Sequence, residues 1–392
     1  MINSFSYLRG CVLIAMIPLT GLLAGPPLAA AGPPSQCTED IQLVSGGGCS
    51  APCCFQDPPA SGHYTFTHQS VESIDIRNNP ASVVSVSFPN LQTVEKRVRI
   101  SYNQPGSITR ISFPALATAG AVDIVSNPGL VEIDLPRLSA IDNDENDAYL
   151  KVQSNAALET LTMPLLTQVL ASDAGSAYIH LRYNPVLPEI DFPILRSLEA
   201  AEDYGEAYVF IQSNDAVQHV GMNDLRRLSA GSQSISWIVI DEMPQLEQLS
   251  FSQLTELLPT GGAYDFSELT VGHAPKLTDF VFPSLERVSL LQLASLKGTR
   301  RAMFPRLSEV QYLWVFRSCE NLDSTLKMYI CSEQPIMDVL LNNDDGLCGP
   351  TGYRLHSSNP DNEAECDASE VCASFTPETT ECSCGVVGLC SP

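Results

Sequence analysis

Positive charge is scarce in this chain. Lysine and arginine total 21 against 45 aspartates and glutamates, which leaves a net charge of -24 over 392 residues. That balance disfavours nucleic acid and anionic membrane surfaces as partners. Cysteine is missing from the whole middle of the sequence, with none between Cys54 and Cys319, so the body must hold together by packing rather than crosslinks. No Asn-x-Ser/Thr acceptor occurs anywhere. The signatures G-x-S-x-G, H-E-x-x-H and G-x-x-x-x-G-K-[ST] are also absent, which removes the sequence marks of an activated serine, a catalytic zinc and a phosphate-binding loop. No enzyme activity, cofactor or metal is expected. The apolar run from Cys11 to Ala24 is too short, and too broken by Pro18 and Gly21, to anchor the chain in a bilayer.

What is present is a repeat. The stretch GAVDIVSNPGLVEIDLPRLSAI, residues 120–141, carries three apolar beats: Val122 and Ile124, then Leu130 and Ile133, then Leu135, Leu138 and Ile141. Val-x-Ile alternates and then stops at Asn127-Pro128-Gly129, a strand pattern rather than a helical one. One such unit cannot bury its own apolar face, so it needs copies stacked on either side. The first-strand pair recurs as Ile74/Ile76, Val98/Ile100, Leu150/Val152, Ile179/Leu181, Val209/Ile211, Ile238/Ile240, Leu269/Val271, Leu291/Leu293 and Leu313/Val315. A corner follows each: Asn79, Asn103, Asn127, Asn155, Asn184 and Asn214, then Met243, Ala274, Leu296 and Ser318. The third beat opens on Phe-Pro or a relative of it, as at Phe88-Pro89, Phe192-Pro193 and Phe282-Pro283. Asparagine at a corner can bond backbone groups that the turn leaves unpaired and tolerates the dihedrals found there. A solenoid of about ten rungs is expected.

The repeated I-x-I-x-x-N-P-x-L-x-x-I-x-F-P-x-L, as in IHLRYNPVLPEIDFPIL from Ile179 to Leu195, resembles the receptor L domain. That leucine-rich solenoid occurs in insulin- and EGF-receptor ectodomains and in fungal GPI-anchored cell-wall proteins. The resemblance covers residues 64–335 and implies a right-handed parallel β-helix that presents a flat, non-catalytic sheet to partners. A receptor role does not follow from it, because no kinase, membrane anchor or furin-like module accompanies the repeats.

The ends read differently. Residues 1–31 have the form of a signal peptide, with Arg9, the apolar core and Ala29-Ala30-Ala31 as the cleavage site. An exported mature chain, secreted or held at the cell surface or in the periplasm, is expected without a transmembrane anchor. Cys37, Cys49, Cys53 and Cys54 belong to an N-terminal cap over 32–63, since solenoid ends expose core and strand edge. Cys319 and Cys331 flank the helix-compatible LDSTLKMYI as the other cap. Cys348, Cys366, Cys372, Cys382, Cys384 and Cys390 lie in an acidic module over 336–392, either an EGF-like unit or another small disulfide knot. These twelve cysteines are expected to form disulfides. The spacings Cys49-x3-Cys53 and His63-x4-His68 superficially fit zinc, but an exported chain favours disulfides. Asp142 to Asp147 starts like a calcium loop, yet it lacks the turn glycine and has Gln153 where a bidentate glutamate belongs.

Two features coincide in the middle rungs. The link from one rung to the next is short early and late but lengthens at 142–149, 170–178, 199–208, 229–237 and 258–268. Alternation also places Tyr149, Tyr178, Tyr208 and Trp237 in one outward column, with Lys151, His180, Phe210 and Val239 in the next. Tyr312, Trp314 and Phe316 face outward from one later strand. Polar residues normally occupy such positions. Outward aromatics form an amphipathic ribbon suited to a sugar ring or an apolar protein patch. Asp75, Arg99, Asp123 and Lys151 form a charge ladder rather than a catalytic group. The reading is an exported, non-catalytic recognition or cell-surface protein that binds a protein or glycan partner through its outward sheet. A structural envelope or matrix component is the alternative. A β-helical carbohydrate-active enzyme is the third, and it lacks a catalytic constellation.

Overall fold

The computed structural model of the protein describes residues 41–44, 53–56, 62–81, 83–144, 146–172, 175–200, 204–259, 266–296, 298–299, 301–317, 326–330, 338–343 and 353–357. They form an all-β solenoid of about seven turns. No helix occurs among the described residues, and neighbouring strands run parallel. The signal-peptide segment and all of the expected disulfide cysteines except Cys53 and Cys54 lie outside the described residues; those two sit in the strand Cys53–Gln56.

The alternation read from the repeat has a direct physical outcome. Leu150, Ile179, Val209 and Ile238 pair in register on successive turns, and each is fully buried. Ile124 lies between Ile100 and Val152 in the same way. Each burial of that size contributes about 1.5–3 kcal/mol. On the next side, Phe88 stacks on Phe66 and Phe113, and Phe282 on Phe251 and Phe304, with centroids 4.8 to 5.6 Å apart. These phenylalanines belong to the core.

Asparagines at the corner are buried and linked. Asn103 Nδ2 donates to Asn127 Oδ1 at 2.7 Å, Asn127 Nδ2 to Asn155 Oδ1 at 3.2 Å, and Asn155 Nδ2 to Asn184 Oδ1 at 3.2 Å. Each amide also reaches back to a carbonyl, as Asn155 does to Ile124 at 3.1 Å. The left-handed dihedral, however, falls on the residue before the asparagine: Asn78, Tyr102, Ser126, Ser154, Tyr183 and Ser213 all have φ between 53° and 57°. It persists at Glu242, His273 and Ser295, where Met243, Ala274 and Leu296 have replaced the asparagine. The turn therefore sets the dihedral, and the asparagine pays out the backbone bonds inside it.

The lengthened links change the strands themselves. In short rungs the last beat and the next first strand are one strand, as in Thr93–Ser101, Thr118–Val125 and Arg287–Ala294. At the long links they separate, as Gln168–Ala171 from Ala177–Arg182 and Ser197–Ala200 from Ala207–Gln212. The stretch LDSTLKMYI, compatible with a helix by sequence, is a strand in its described part. Leu326–Ile330 is a strand paired with Arg301–Phe304 and Tyr353–Ser357, because Leu-x-Met-x-Ile alternates with period two. Parallel pairing also continues past residue 335, through Asp338–Asn343.

Candidate functional site

The outward aromatic column starts from strand register. Tyr149 pairs with Tyr178, Tyr178 with Tyr208 and Tyr208 with Trp237. Neighbouring strands lie about 4.8 Å apart, so rings in register have room only when nearly parallel. Their centroids are 4.8, 4.6 and 4.2 Å apart, with interplanar angles of 2°, 2° and 9°. The four side chains are half-buried. Their neighbouring faces are closed against one another, and the indole nitrogen of Trp237 is buried.

In the neighbouring column His180 lies 5.0 Å from Phe210, and Phe210 meets Trp237 edge-on at 5.5 Å. The Arg182 guanidinium sits 5.6 Å from the Phe210 ring and 4.2 Å from that of Tyr183. Burial is the first cause that raises the Tyr178 and Tyr208 hydroxyls well above the usual phenol range. Burial also raises Tyr149, against the opposing hydrogen bond from Arg97. The His180 imidazole is lowered to about 4, first by burial and then by the cations Lys151 and Arg182.

The long links stack as regularly as the strands. Asp147 Oδ1 accepts the Ser176 N–H at 2.8 Å, and Ser176 Oγ accepts the Glu206 N–H at 3.2 Å. A side chain at Gly205 would put its Cβ 2.3 Å from the Gly175 carbonyl oxygen, so the loops are in backbone contact there. Asn143 holds the acidic loop by bonding the Asp147 carbonyl and the Asn146 N–H. The acidic side chain of Asp147 thus supports the next loop. Among the described residues, no group of three or more His, Cys, Asp or Glu side chains is placed to hold a metal ion.

Tyr312 and Trp314 occupy the same two columns and are half-buried, but Glu268 and Leu290 separate Tyr312 from Trp237. The structure therefore makes two aromatic patches, not one. Phe316 lies in the strand Glu309–Arg317. Of the expected charge ladder, Arg99 and Asp123 form an ion pair across rungs at 3.9 Å, while Asp75 pairs with Arg77 of its own strand at 3.2 Å.

A second feature has no counterpart in the sequence reading. On another side of the solenoid, an open groove of about 360 Å³ lies between the strands Thr160–Thr162 and Glu189–Asp191. The signal that could have revealed it is Pro188, which takes the place of Val131, Glu159, Gln218 and Glu247 on other rungs.

In comparisons with known proteins, no family model matches the chain, and no curated protein or solved structure matches it.

Proposed function

We propose that this is an exported, non-catalytic recognition or cell-surface protein that binds a partner through the outward face of its solenoid. The finer architecture belongs to the same proposal: about ten rungs of receptor L-domain type, a cleaved signal peptide, disulfide-bonded caps and a cysteine-rich tail. The observation that supports it is the half-buried column Tyr149, Tyr178, Tyr208 and Trp237, with Phe210 beside it. A sugar ring stacks on an open aromatic face, and these faces are taken. Half-buried rings with closed neighbouring faces suit an apolar protein patch better. The face-to-face packing also favours a second reading, an envelope or matrix component in which the column braces the sheet.

Glycan-array and surface-proteome capture with the mature protein and with Tyr208→Ala/Trp237→Ala separates the two. Recognition predicts a partner held by the wild type and lost by the variant, with only a moderate fall in melting temperature. A large fall with unchanged binding supports the structural role and overturns recognition at this column. Unchanged stability and unchanged binding move the site to Tyr312, Trp314 and Phe316.

A further inference from the structure

Acidic residues outnumber basic ones 45 to 21 in the chain, but part of the outward sheet has the opposite balance. Between the rungs of Asp75 and His180, strand register puts Arg77, Arg97, Arg99, Lys151 and Arg182 on the outward columns, against Asp75 and Asp123. Arg77 is held by Asp75 and Arg99 by Asp123, while Arg97 bonds the Tyr149 hydroxyl. Among the described residues, neither Lys151 nor Arg182 has a carboxylate within ion-pair distance. Arg182 instead lies over Tyr183 and near the Phe210 ring.

His180 links these two cations. It pairs in register with Lys151 and stands two residues before Arg182 on one strand. Burial and then the two cations keep its imidazole neutral at pH 7. The His180 Nε2 and the Arg182 Nε are buried without a hydrogen-bond partner, a state that a merely solvated sheet face seldom holds. Past His180 the same column turns apolar. Phe210 and Val239 follow in register, both half-buried, and the column closes at the buried Thr270. From Lys151 to Val239 there are three inter-strand steps, about 14 Å, which four or five extended residues would cover.

We propose that this strip docks an extended segment of a partner protein that is acidic at one end and apolar at the other, with a carboxylate beside Lys151 and Arg182 and an aliphatic side chain against Phe210 and Val239. This partner class rests on the recognition role proposed above. Ammonium and guanidinium groups without a carboxylate of their own favour an anionic oxygen, and such charge-assisted bonds are the strong ones. A sulfated glycan shares the anion but brings no aliphatic side chain to Phe210 and Val239. The net charge of -24 does not forbid an acidic segment. At physiological salt, charges beyond roughly 8 Å are largely screened, and the nearest unpaired charges here are cations.

The test titrates a fluorophore-labelled, acetylated and amidated hexapeptide against the full mature chain by fluorescence anisotropy at about 0.15 M salt. Its sequence is two glutamates, two threonines and two leucines. One comparison peptide has lysines for the glutamates, and another has serines for the leucines. The first peptide is expected to bind wild type and the control Arg227→Gln/Lys276→Gln equally, and Lys151→Gln/Arg182→Gln about tenfold more weakly or worse. Both comparison peptides should bind wild type more weakly. If circular dichroism shows that the double variant does not fold, Lys151→Gln alone decides. Equal affinity for the variant and the control, equal or tighter binding of the lysine peptide, or no binding to wild type would overturn the proposal. A heparin-like sulfated oligosaccharide that binds wild type more tightly than the peptide, and is lost in the same variant, would assign the strip to glycans and overturn it too. In the partner capture described above, loss by Tyr208→Ala/Trp237→Ala with retention by Lys151→Gln/Arg182→Gln would leave recognition standing and remove the acidic segment.

Discussion

At Ile124 and Asp123, adjacent residues of one strand have opposite surroundings. Ile124 is fully buried between Ile100 and Val152, while Asp123 faces out toward Arg99 at 3.9 Å. Ile124→Asp would bury a carboxylate without a partner and should cost more than about 4 kcal/mol. Asp123→Asn keeps the size of a half-buried outward side chain and removes one ion pair at 3.9 Å, so it should cost far less than Ile124→Asp, about 1 kcal/mol. A denaturant titration that gives the two variants similar midpoints would contradict this register. His180 provides a pH-dependent counterpart. Its folded value, about 4, lies below the ordinary 6.5, through burial first and then Lys151 and Arg182. The unfolded chain therefore takes up a proton that the folded one refuses, so this residue's contribution is full above 6.5 and is lost as pH falls toward 4. Asp142, Asp191 and Glu206, raised by burial, act in the opposite sense. Comparison with His180→Phe cancels them. The variant should lose stability less steeply between pH 6.5 and 4; identical slopes would mean that His180 titrates as in solvent.

At the scale of the element, the corner shows what the sequence reveals and what it conceals. The asparagine column was legible as a backbone-bonding device because asparagine repeats where the alternation stops. Its neighbour was not: Tyr102, Ser126 and Tyr183 share no side-chain chemistry, yet all take the left-handed dihedral. A dihedral imposed by stacking leaves no residue signature unless glycine fills it. The two positions should respond differently to substitution. Asn155 Oδ1 accepts from both the backbone N and the Nδ2 of Asn127, and Asn155 Nδ2 donates to Ile124 and Asn184. Asn155→Ala strands several buried groups and should cost about 2–4 kcal/mol. Ser154→Gly relieves the dihedral at the expense of chain entropy and should change stability by under about 1 kcal/mol. Thermal melts that rank the two in the reverse order would remove the ladder as a source of stability. The strand Leu326–Ile330 was missed for a related reason. Five residues are too few for periodicity to decide between strand and helix without the neighbours that pair with them.

For the whole molecule, stacking decides both the site and the crosslinks. The aromatic column was visible as a repeated outward position, but its ring orientation was not, because that depends on inter-strand spacing rather than residue type. The groove escaped because Pro188 resembles the many prolines that end strands here, and only the backbone bond it cannot donate to Glu159 distinguishes it. The last expectation follows from the same axial repeat. About seven turns at roughly 4.8 Å each place the strand Cys53–Gln56 more than about 30 Å from Leu326–Ile330. A disulfide needs Cα atoms within about 7 Å. Cysteines 37–54 should therefore bond only among themselves, and cysteines 319–390 only among themselves. Non-reducing peptide mapping of the mature protein reads this directly. A crosslinked peptide that contains Cys53 and Cys331 would require the two ends to meet, and parallel strands that stack in a single direction cannot bring them together.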